Sequence, residues 1–128
     1  MHEERRPRVL LADDYQGLLD AWRRLLESSC DIVGSVLNGR DVLEAATRLR
    51  PDVIVLDVDM PGLNGVDACR QIKQATPETG VVLVTAADDA DVRHAGTQAG
   101  ASAFVLKYSA AEELERAIQR AFAGDTIA

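Results

Sequence analysis

Short apolar runs and amphipathic stretches alternate five times along the chain. The apolar runs cover residues 8–13, 31–36, 52–57, 81–85 and 103–107. The first, third and fourth runs are apolar almost throughout, which is typical of parallel strands that are covered on both faces. The repeat therefore predicts five βα units that form one open, doubly wound α/β sheet with crossover helices.

Apolar residues at helical spacing follow each predicted strand. The spacing is clearest in the fifth helix, which Gly124 closes, and weakest over residues 88–99, whose apolar face is mostly alanine. Ser109 and Glu112 have the spacing of a capping box at the start of the fifth helix. Gly100 is placed to end the fourth helix in a left-handed conformation.

Polar side chains stand where four of the predicted strands end. They are Asp13 and Asp14, Asp57 and Asp59, Thr85, and Lys107. In doubly wound sheets, ligands bind beyond the carboxyl ends of the strands, where the strand order reverses. With the order 2-1-3-4-5, the first and third strands flank that point, and we expect their carboxylates to meet in one crevice.

The residue types at these strand ends suit the chemistry of a phosphoryl group. Carboxylates that lie close together repel one another, and a hard divalent cation such as Mg²⁺ relieves that repulsion. Asp57 is placed as a nucleophile, and the Lys107 ammonium and the Thr85 hydroxyl are placed to bind phosphoryl oxygens. Each residue alone fits a helix cap, a strand residue or a solvated end, so the coincidence at four junctions carries the prediction.

Length and composition agree with one domain. The chain has 128 residues, 47% of them hydrophobic, and a formal net charge of −7. We expect a single domain over residues 1–128, with its core over 8–124, and two reduced thiols at Cys30 and Cys69. No apolar run approaches the roughly 18 to 20 residues that span a bilayer, and the start lacks a secretory signal, so we expect a cytoplasmic protein without a membrane partner. The acidic balance argues against direct DNA binding by this chain.

Taken in order, the polar motifs resemble the receiver domain of bacterial two-component response regulators over residues 8–124. The matching pieces are the pair Asp13-Asp14, DVDMPGLNG over 57–65, VTA over 84–86 and FVLK over 104–107. The segments CDIVGSVLNGRDVLEAA and GASAFVLKYSAAEELERAIQRAFAG are similar to the NarL/FixJ class, whose receivers usually precede a helix-turn-helix DNA-binding domain. The resemblance implies a flavodoxin-like (βα)5 fold and control of transcription through such a domain.

The family resemblance also implies a role for each polar residue. Asp57 would accept the phosphoryl group, from a sensor histidine kinase or a small phosphodonor. Asp14, Asp57 and the backbone carbonyl of Asp59 would ligate Mg²⁺, and Asp13 would reach the ion through water. Lys107 would pair with the phosphoryl group.

A second set of implied roles concerns the response to phosphorylation. Thr85 would turn to hydrogen-bond the phosphoryl group, and Phe104 would change rotamer with it. The fourth helix, which is rich in alanine and contains Gly96, would then shift at low cost. The face formed by the fourth helix, fifth strand and fifth helix would carry the signal, and homodimers would form on phosphorylation.

Two positions depart from the family pattern. Many receivers have proline after the lysine, in a cis bond, whereas this chain has Tyr108. A cis bond before a residue other than proline costs about 2.5 to 4 kcal/mol, so the local backbone is left open. The acid at Asp59 would place its side chain near the mouth of the site, where it would repel a phosphodonor or alter attack by water; a solvated loop acid is the alternative.

Three other functions are compatible with parts of the sequence. A haloacid-dehalogenase-like phosphatase also uses Asp-x-Asp after a strand, with Asp57 as nucleophile and Asp59 as acid, but it gives Asp13 and Asp14 no role. A receiver-like module that no longer accepts phosphate would not need all of the site residues. A stand-alone receiver would act by protein contact. Because the sequence stops just after the fifth helix, we expect part of a longer transcription factor.

Overall fold

Five parallel strands form a single sheet in the order β2-β1-β3-β4-β5, as the sequence predicts, in a computed structural model that describes residues 5–124. The strands are β1 Arg8–Ala12, β2 Asp31–Val36, β3 Val53–Asp57, β4 Gly80–Thr85 and β5 Ala103–Leu106. The helices are α1 Gln16–Leu26, α2 Gly39–Leu49, α3 Gly65–Ala75, α4 Ala90–Ala99 and α5 Ala110–Phe122. The predicted flavodoxin-like fold and its strand order are therefore confirmed. Each βα unit forms where the spacing of apolar residues changes from that of a strand to that of a helix.

Two apolar layers cover the sheet. Side chains alternate along each strand, so Val9 and Leu11 of β1 face the layer that contains α1 and α5, whereas Leu10 and Ala12 face the layer of α2, α3 and α4. Every residue of β3 is buried. The central strand thus has core on both faces, which is why its sequence is apolar until its last residue.

The helix ends differ in part from the sequence prediction. The capping box at Ser109 and Glu112 is wrong: the Ser109 side chain makes no cap hydrogen bond, and its φ of −107° and ψ of 4° lie outside the extended region that a capping residue needs. Residues Lys107–Ser109 instead form a 3₁₀ turn that leads directly into α5. Gly100 ends α4 as predicted, in the left-handed region with φ of 101°.

Asparagine and aspartate caps set the starts of three helices. The side chains of Asn38 and Asn64 accept hydrogen bonds from backbone N–H groups in the first turns of α2 and α3, and Asp89 does the same for α4. Helix α4 therefore begins two residues later than the pattern over residues 88–99 predicts. Each cap removes an unpaired donor at a helix N-terminus, which fixes where the preceding loop ends.

Arg50 ends α2 in an unusual conformation. It has φ of 50°, the only positive φ at a non-glycine residue within the described range, and its N–H donates to the carbonyl of Ala46. Glycine is the residue that adopts this conformation without a steric penalty. The end of α2 therefore carries backbone strain that the sequence does not reveal.

The backbone at Tyr108, which stands where many receivers have proline, is ordinary. Between residues 5 and 124 no peptide bond is cis, so the bond before Tyr108 is trans. The tyrosine lies in the 3₁₀ turn, and 76% of the residue is exposed.

Cys30 and Cys69 are free thiols, as predicted, and both are buried. None of the described helices is long and apolar enough to cross a membrane.

Candidate functional site: a carboxylate cluster at the strand ends

Asp57 is the last residue of β3, and its carboxylate lies below the surface. Only 1% of the residue is exposed. Its Oδ1 accepts a hydrogen bond from the backbone N–H of Asp59 at 3.2 Å, and its Oδ2 accepts one from the Lys107 ammonium at 3.2 Å. The strand thus delivers one carboxylate oxygen to a backbone donor and the other to a cation.

Asp13 follows β1, the neighbouring strand, and its side chain is fully buried. Its Oδ2 accepts a hydrogen bond from the backbone N–H of Tyr15 at 3.0 Å, which holds the carboxylate in the loop. Its Oδ1 lies 3.0 Å from the Lys107 Nζ, but the contact lacks hydrogen-bonding geometry. Asp13 therefore keeps one buried oxygen without a hydrogen-bond donor.

Lys107 follows β5, an edge strand of the sheet, and its ammonium lies between the two carboxylates. The 3₁₀ turn after β5 begins at this residue, and 29% of its side chain is exposed. Burial lowers the pKa of Lys107, but the ion pairs with Asp13 and Asp57 outweigh burial and hold this pKa above its ordinary value. The ammonium therefore stays charged between two acids.

The Asp57 carboxyl has a strongly raised pKa. Burial, followed by the neighbouring Asp13 carboxyl, raises its pKa from 3.8 to about 7, although the Asp59 N–H and the Lys107 charge act in the opposite direction. A carboxylate with this pKa is costly to ionise where it stands. One lysine thus compensates only part of the negative charge that the strand ends bring together.

The carboxylates of Asp13, Asp14 and Asp57 fit a divalent cation. Each offers one oxygen, and these oxygens lie within 4.8 Å of one another. The buried Oδ1 of Asp13, which pairs with Lys107 but accepts no hydrogen bond, and the exposed side chain of Asp14 leave acceptors available on this cluster. A set of hard oxygen ligands with excess negative charge suits Mg²⁺. The carboxylate of Asp59 is exposed and does not belong to the cluster.

Thr85 and Phe104 lie beside the carboxylate cluster, and neither side chain is hydrogen-bonded to it. The Thr85 hydroxyl donates to the carbonyl of Ala87 at 3.2 Å and also lies 3.4 Å from the Ala87 N–H, so it is turned toward its own loop. The Phe104 ring is half-buried under α4. A cavity of about 130 Å³ is lined by both residues and by the start of α4.

Two residues at this cavity are absent from the sequence prediction. The guanidinium of Arg93 lies over the Phe104 ring, 5.9 Å from its centroid, and forms an ion pair with Asp88. An exposed arginine near the start of a helix carries no signal in the sequence, because its partner comes from β5. The backbone donors at Tyr15 and Asp59 were missed for a related reason: main-chain N–H groups do not depend on residue type.

Comparison with known families supports the predicted resemblance. The family model of the response regulator receiver domain matches residues 9–119. The chain is 35% identical over 122 residues to the uncharacterized transcriptional regulatory protein YxjL of Bacillus subtilis, covering 94% of this chain and 56% of that protein. It is 34% identical over 119 residues to the response regulator GacA of Pseudomonas aeruginosa, covering 91% of this chain and 56% of that protein. The chain thus spans about half the length of these relatives.

Solved structures give the same result. The signal receiver domain of the putative response regulator NarL from Mycobacterium tuberculosis superposes with a TM-score of 0.88 at 30% identity, covering 93% of this chain and 98% of that one. A LuxR-family two-component response regulator from Aurantimonas gives a TM-score of 0.89 at 28% identity, covering 94% and 88% of the two chains. The chain belongs to the response regulator receiver domain family, the signalling domain of two-component systems.

Proposed function

We propose that this receiver domain is a phosphorylation-dependent switch that takes a phosphoryl group onto Asp57. The observation that carries the proposal is the position of the Asp57 carboxylate: it is buried at a strand end, with the Lys107 Nζ 3.2 Å from one oxygen and the Asp13 and Asp14 carboxylates beside it. The donor would be a sensor histidine kinase or a small phosphodonor.

Phosphoryl transfer to Asp57 requires that the reacting atoms are correctly positioned and that their negative charge is compensated. The ionised Asp57 carboxylate attacks the phosphorus atom of the donor; an O–P bond forms to Asp57 as the bond from phosphorus to the donor's nitrogen or oxygen breaks. The donor's leaving atom keeps the electron pair of the broken bond. Lys107, already between the two buried acids, offsets charge on the transferred oxygens. Little covalent chemistry beyond this is required.

Mg²⁺ would be held by Asp14, Asp57 and the backbone carbonyl of Asp59, with Asp13 joined through water. When bound, it would neutralise negative charge that Lys107 alone leaves uncompensated. The cluster of three carboxylate oxygens and the raised pKa of Asp57 both support such a cation site. The Asp59 carboxylate is proposed to remain outside the ligand set, at the mouth of the site, where it repels anionic donors.

Phosphorylation would be transmitted through Thr85 and Phe104. The new phosphoryl group carries roughly two negative charges and strong acceptors. We expect the Thr85 hydroxyl to leave the Ala87 carbonyl and donate to that group, and Phe104 to move into the cavity beside Thr85. The face formed by α4, β5 and α5 would then present a different surface to a partner.

The wider context of the domain is also part of the proposal. The 1–128 sequence would act as one domain in the cytoplasm, with self-phosphorylation and self-dephosphorylation as its only reactions. Its output would be transcription control through a helix-turn-helix domain, since LuxR-family regulators are among the most similar structures. DNA would be contacted only through that domain, and phosphorylation would favour homodimers. The alternative is a stand-alone receiver that acts by protein contact.

Intact-mass measurement of the domain treated with acetyl phosphate tests the proposal. In the presence of Mg²⁺ we expect the mass of one phosphoryl group on the wild-type protein, little with a chelator, and none on Asp57→Ala. Asp20→Ala, which removes an exposed acid on α1, is the matched control and should label normally. Unchanged labelling of Asp57→Ala would refute the assignment, and sustained turnover of a generic phosphate ester would favour a phosphatase. Size-exclusion chromatography of the labelled protein reports dimer formation.

A further inference from the structure

The Phe104 ring occupies a space that exists because residue 96 has no side chain. A Cβ placed on Gly96 would clash with the ring, lying 2.7 Å from its Cε1, and would also lie 2.7 Å from Leu83 Cδ1. Real Cβ atoms do not approach ring or methyl carbons this closely, so one of the neighbours would have to move. Leu83 is fully buried in β4, whereas Phe104 is half-buried at the edge of the core. The ring is therefore the group that would give way.

Arg93 covers the outer side of the same ring. It stands one turn before Gly96 on α4, and its guanidinium lies 5.9 Å from the Phe104 centroid, within the range of a cation–π attraction. Asp88, in the loop that leads into α4, forms an ion pair with Arg93. That loop also contains Ala87, whose carbonyl accepts the Thr85 hydroxyl hydrogen bond. The ring and the hydroxyl are thus connected to the same loop.

Helix α4 buries few residues, and those are small. Its only buried residues are Gly96 and Ala99, whereas α5 buries Ala110, Leu114, Ala117, Ile118 and Ala121. Small buried residues remove little apolar surface from water, so a shift of α4 disrupts little packing. The helix that receives the Phe104 ring is therefore the one that is easiest to displace.

We propose that Gly96 and Arg93 form a seat that holds Phe104 in the unphosphorylated arrangement and sets how readily phosphorylation moves the ring. This inference rests on the proposed switch function. Gly96 provides the space under the ring, and Arg93, held by Asp88, closes it from outside. Release of the ring requires the loop that carries Asp88 and Ala87 to move, which couples it to the Thr85 hydroxyl. Gly96 and Arg93 are positioning residues, since neither touches the phosphoryl site.

Fluorine NMR of the full chain labelled with 4-fluorophenylalanine tests the seat directly. The chain has two phenylalanines, Phe104 and Phe122, so two resonances are expected, and Phe122→Leu assigns them. We expect Gly96→Ala to shift the Phe104 resonance, toward its position in the phosphorylated wild-type protein, and to leave Phe122 unchanged. Gly17→Ala is the matched control: it is also a glycine-to-alanine change in a helix, and the three atoms nearest its added Cβ all belong to the exposed Tyr15 side chain.

A second pair of variants tests the outer half of the seat without a change in the core. Arg93→Gln and Asp88→Asn should each shift the Phe104 resonance in the same direction, and the double variant should shift it no further, because the two residues act as one unit. In Gly96→Ala, the further shift that acetyl phosphate adds should be smaller than in the wild type. An unchanged Phe104 resonance in Gly96→Ala, or in both outer variants if Gly96→Ala does not fold, would overturn the seat.

The same spectra separate the seat from the proposed function. If Gly96→Ala shifts the Phe104 resonance but phosphorylated wild type shows no shift, the seat exists and its regulatory role is refuted. If the wild type does not label at Asp57 at all, the mass measurement reports the failure of the proposed function independently. A Gly96→Ala shift directed away from the phosphorylated position would overturn the claim that the seat opposes switching.

Discussion

Replacement of Asp57 by asparagine should stabilise the metal-free domain, and the gain should grow with pH. The carboxyl is 1% exposed and has a folded-state pKa of about 7 against 3.8 for an ordinary aspartate. A folded-state pKa above the unfolded value means that the protonated form favours folding. That stability is fully present below about pH 4 and is lost as the pH rises through about 7.

The size of the effect follows from the same values. An interval from pKa 3.8 to about 7 corresponds to a penalty of about 4 kcal/mol once the carboxyl is ionised in the folded protein. By linkage, the penalty grows by about 2 kcal/mol between about pH 5.5 and about pH 8.5. Asparagine keeps the size of the side chain and an acceptor for the Asp59 N–H, and Lys107 retains its contact with Asp13. The pH-dependent gain is therefore expected to survive the loss of one ion pair.

Urea denaturation with a chelator present, at several pH values, measures the difference between Asp57→Asn and the wild type. Asp20→Asn, an exposed acid on α1, is the matched control and should change stability by less than about 0.5 kcal/mol at each pH. A difference between Asp57→Asn and wild type that stays constant with pH would show that burial of this carboxylate is not the cause. A variant that is less stable than wild type at the highest pH would show that the Lys107 contact outweighs burial.

Two further substitutions test other parts of the structure. Lys107→Ala should slow labelling by acetyl phosphate, on the order of a hundredfold, because one preorganised charge is lost. The phosphorylated variant should lack the NMR shift changes over α4, β5 and α5 that phosphorylation causes in the wild type. The same shift changes in the variant as in the wild type would refute a switch role for this lysine. Arg50→Gly should raise the free energy of unfolding by about 0.5 to 1 kcal/mol, because glycine accepts the φ of 50°. Arg24→Gly, in the last turns of α1, should lower it by about 1 kcal/mol in the same urea titration, and equal effects of the two changes would contradict the strain at Arg50.

The fold could be predicted because its signals are local. A strand with core on both faces is apolar almost throughout, as β3 is over residues 53–56, and a surface helix must be apolar on one side. The boundaries were less predictable, because they depend on backbone contacts. Ser109 and Glu112 have the spacing of a capping box, but the 3₁₀ turn at Lys107–Ser109 takes the Ser109 backbone out of the capping conformation.

The site was predictable as a set of residues and not as an arrangement. Asp13, Asp14 and Asp57 were expected to meet, and their carboxylate oxygens do lie within 4.8 Å of one another. No sequence pattern indicates that Lys107 contacts both buried acids or that Thr85 is turned toward Ala87. These are choices among rotamers, and they depend on atoms that come from distant parts of the chain.

The sequence by itself determined which chemical groups stand at the edge of the sheet. Parallel strands all end at the same edge, so residues placed at strand ends must come together there, whatever the details of packing. Only the tertiary structure decided how those groups act on one another. Burial of Asp57 beside Asp13 raises the pKa of Asp57, and the space above Gly96 admits the Phe104 ring. Both effects depend on distances between elements that come together only when the helices pack on the sheet.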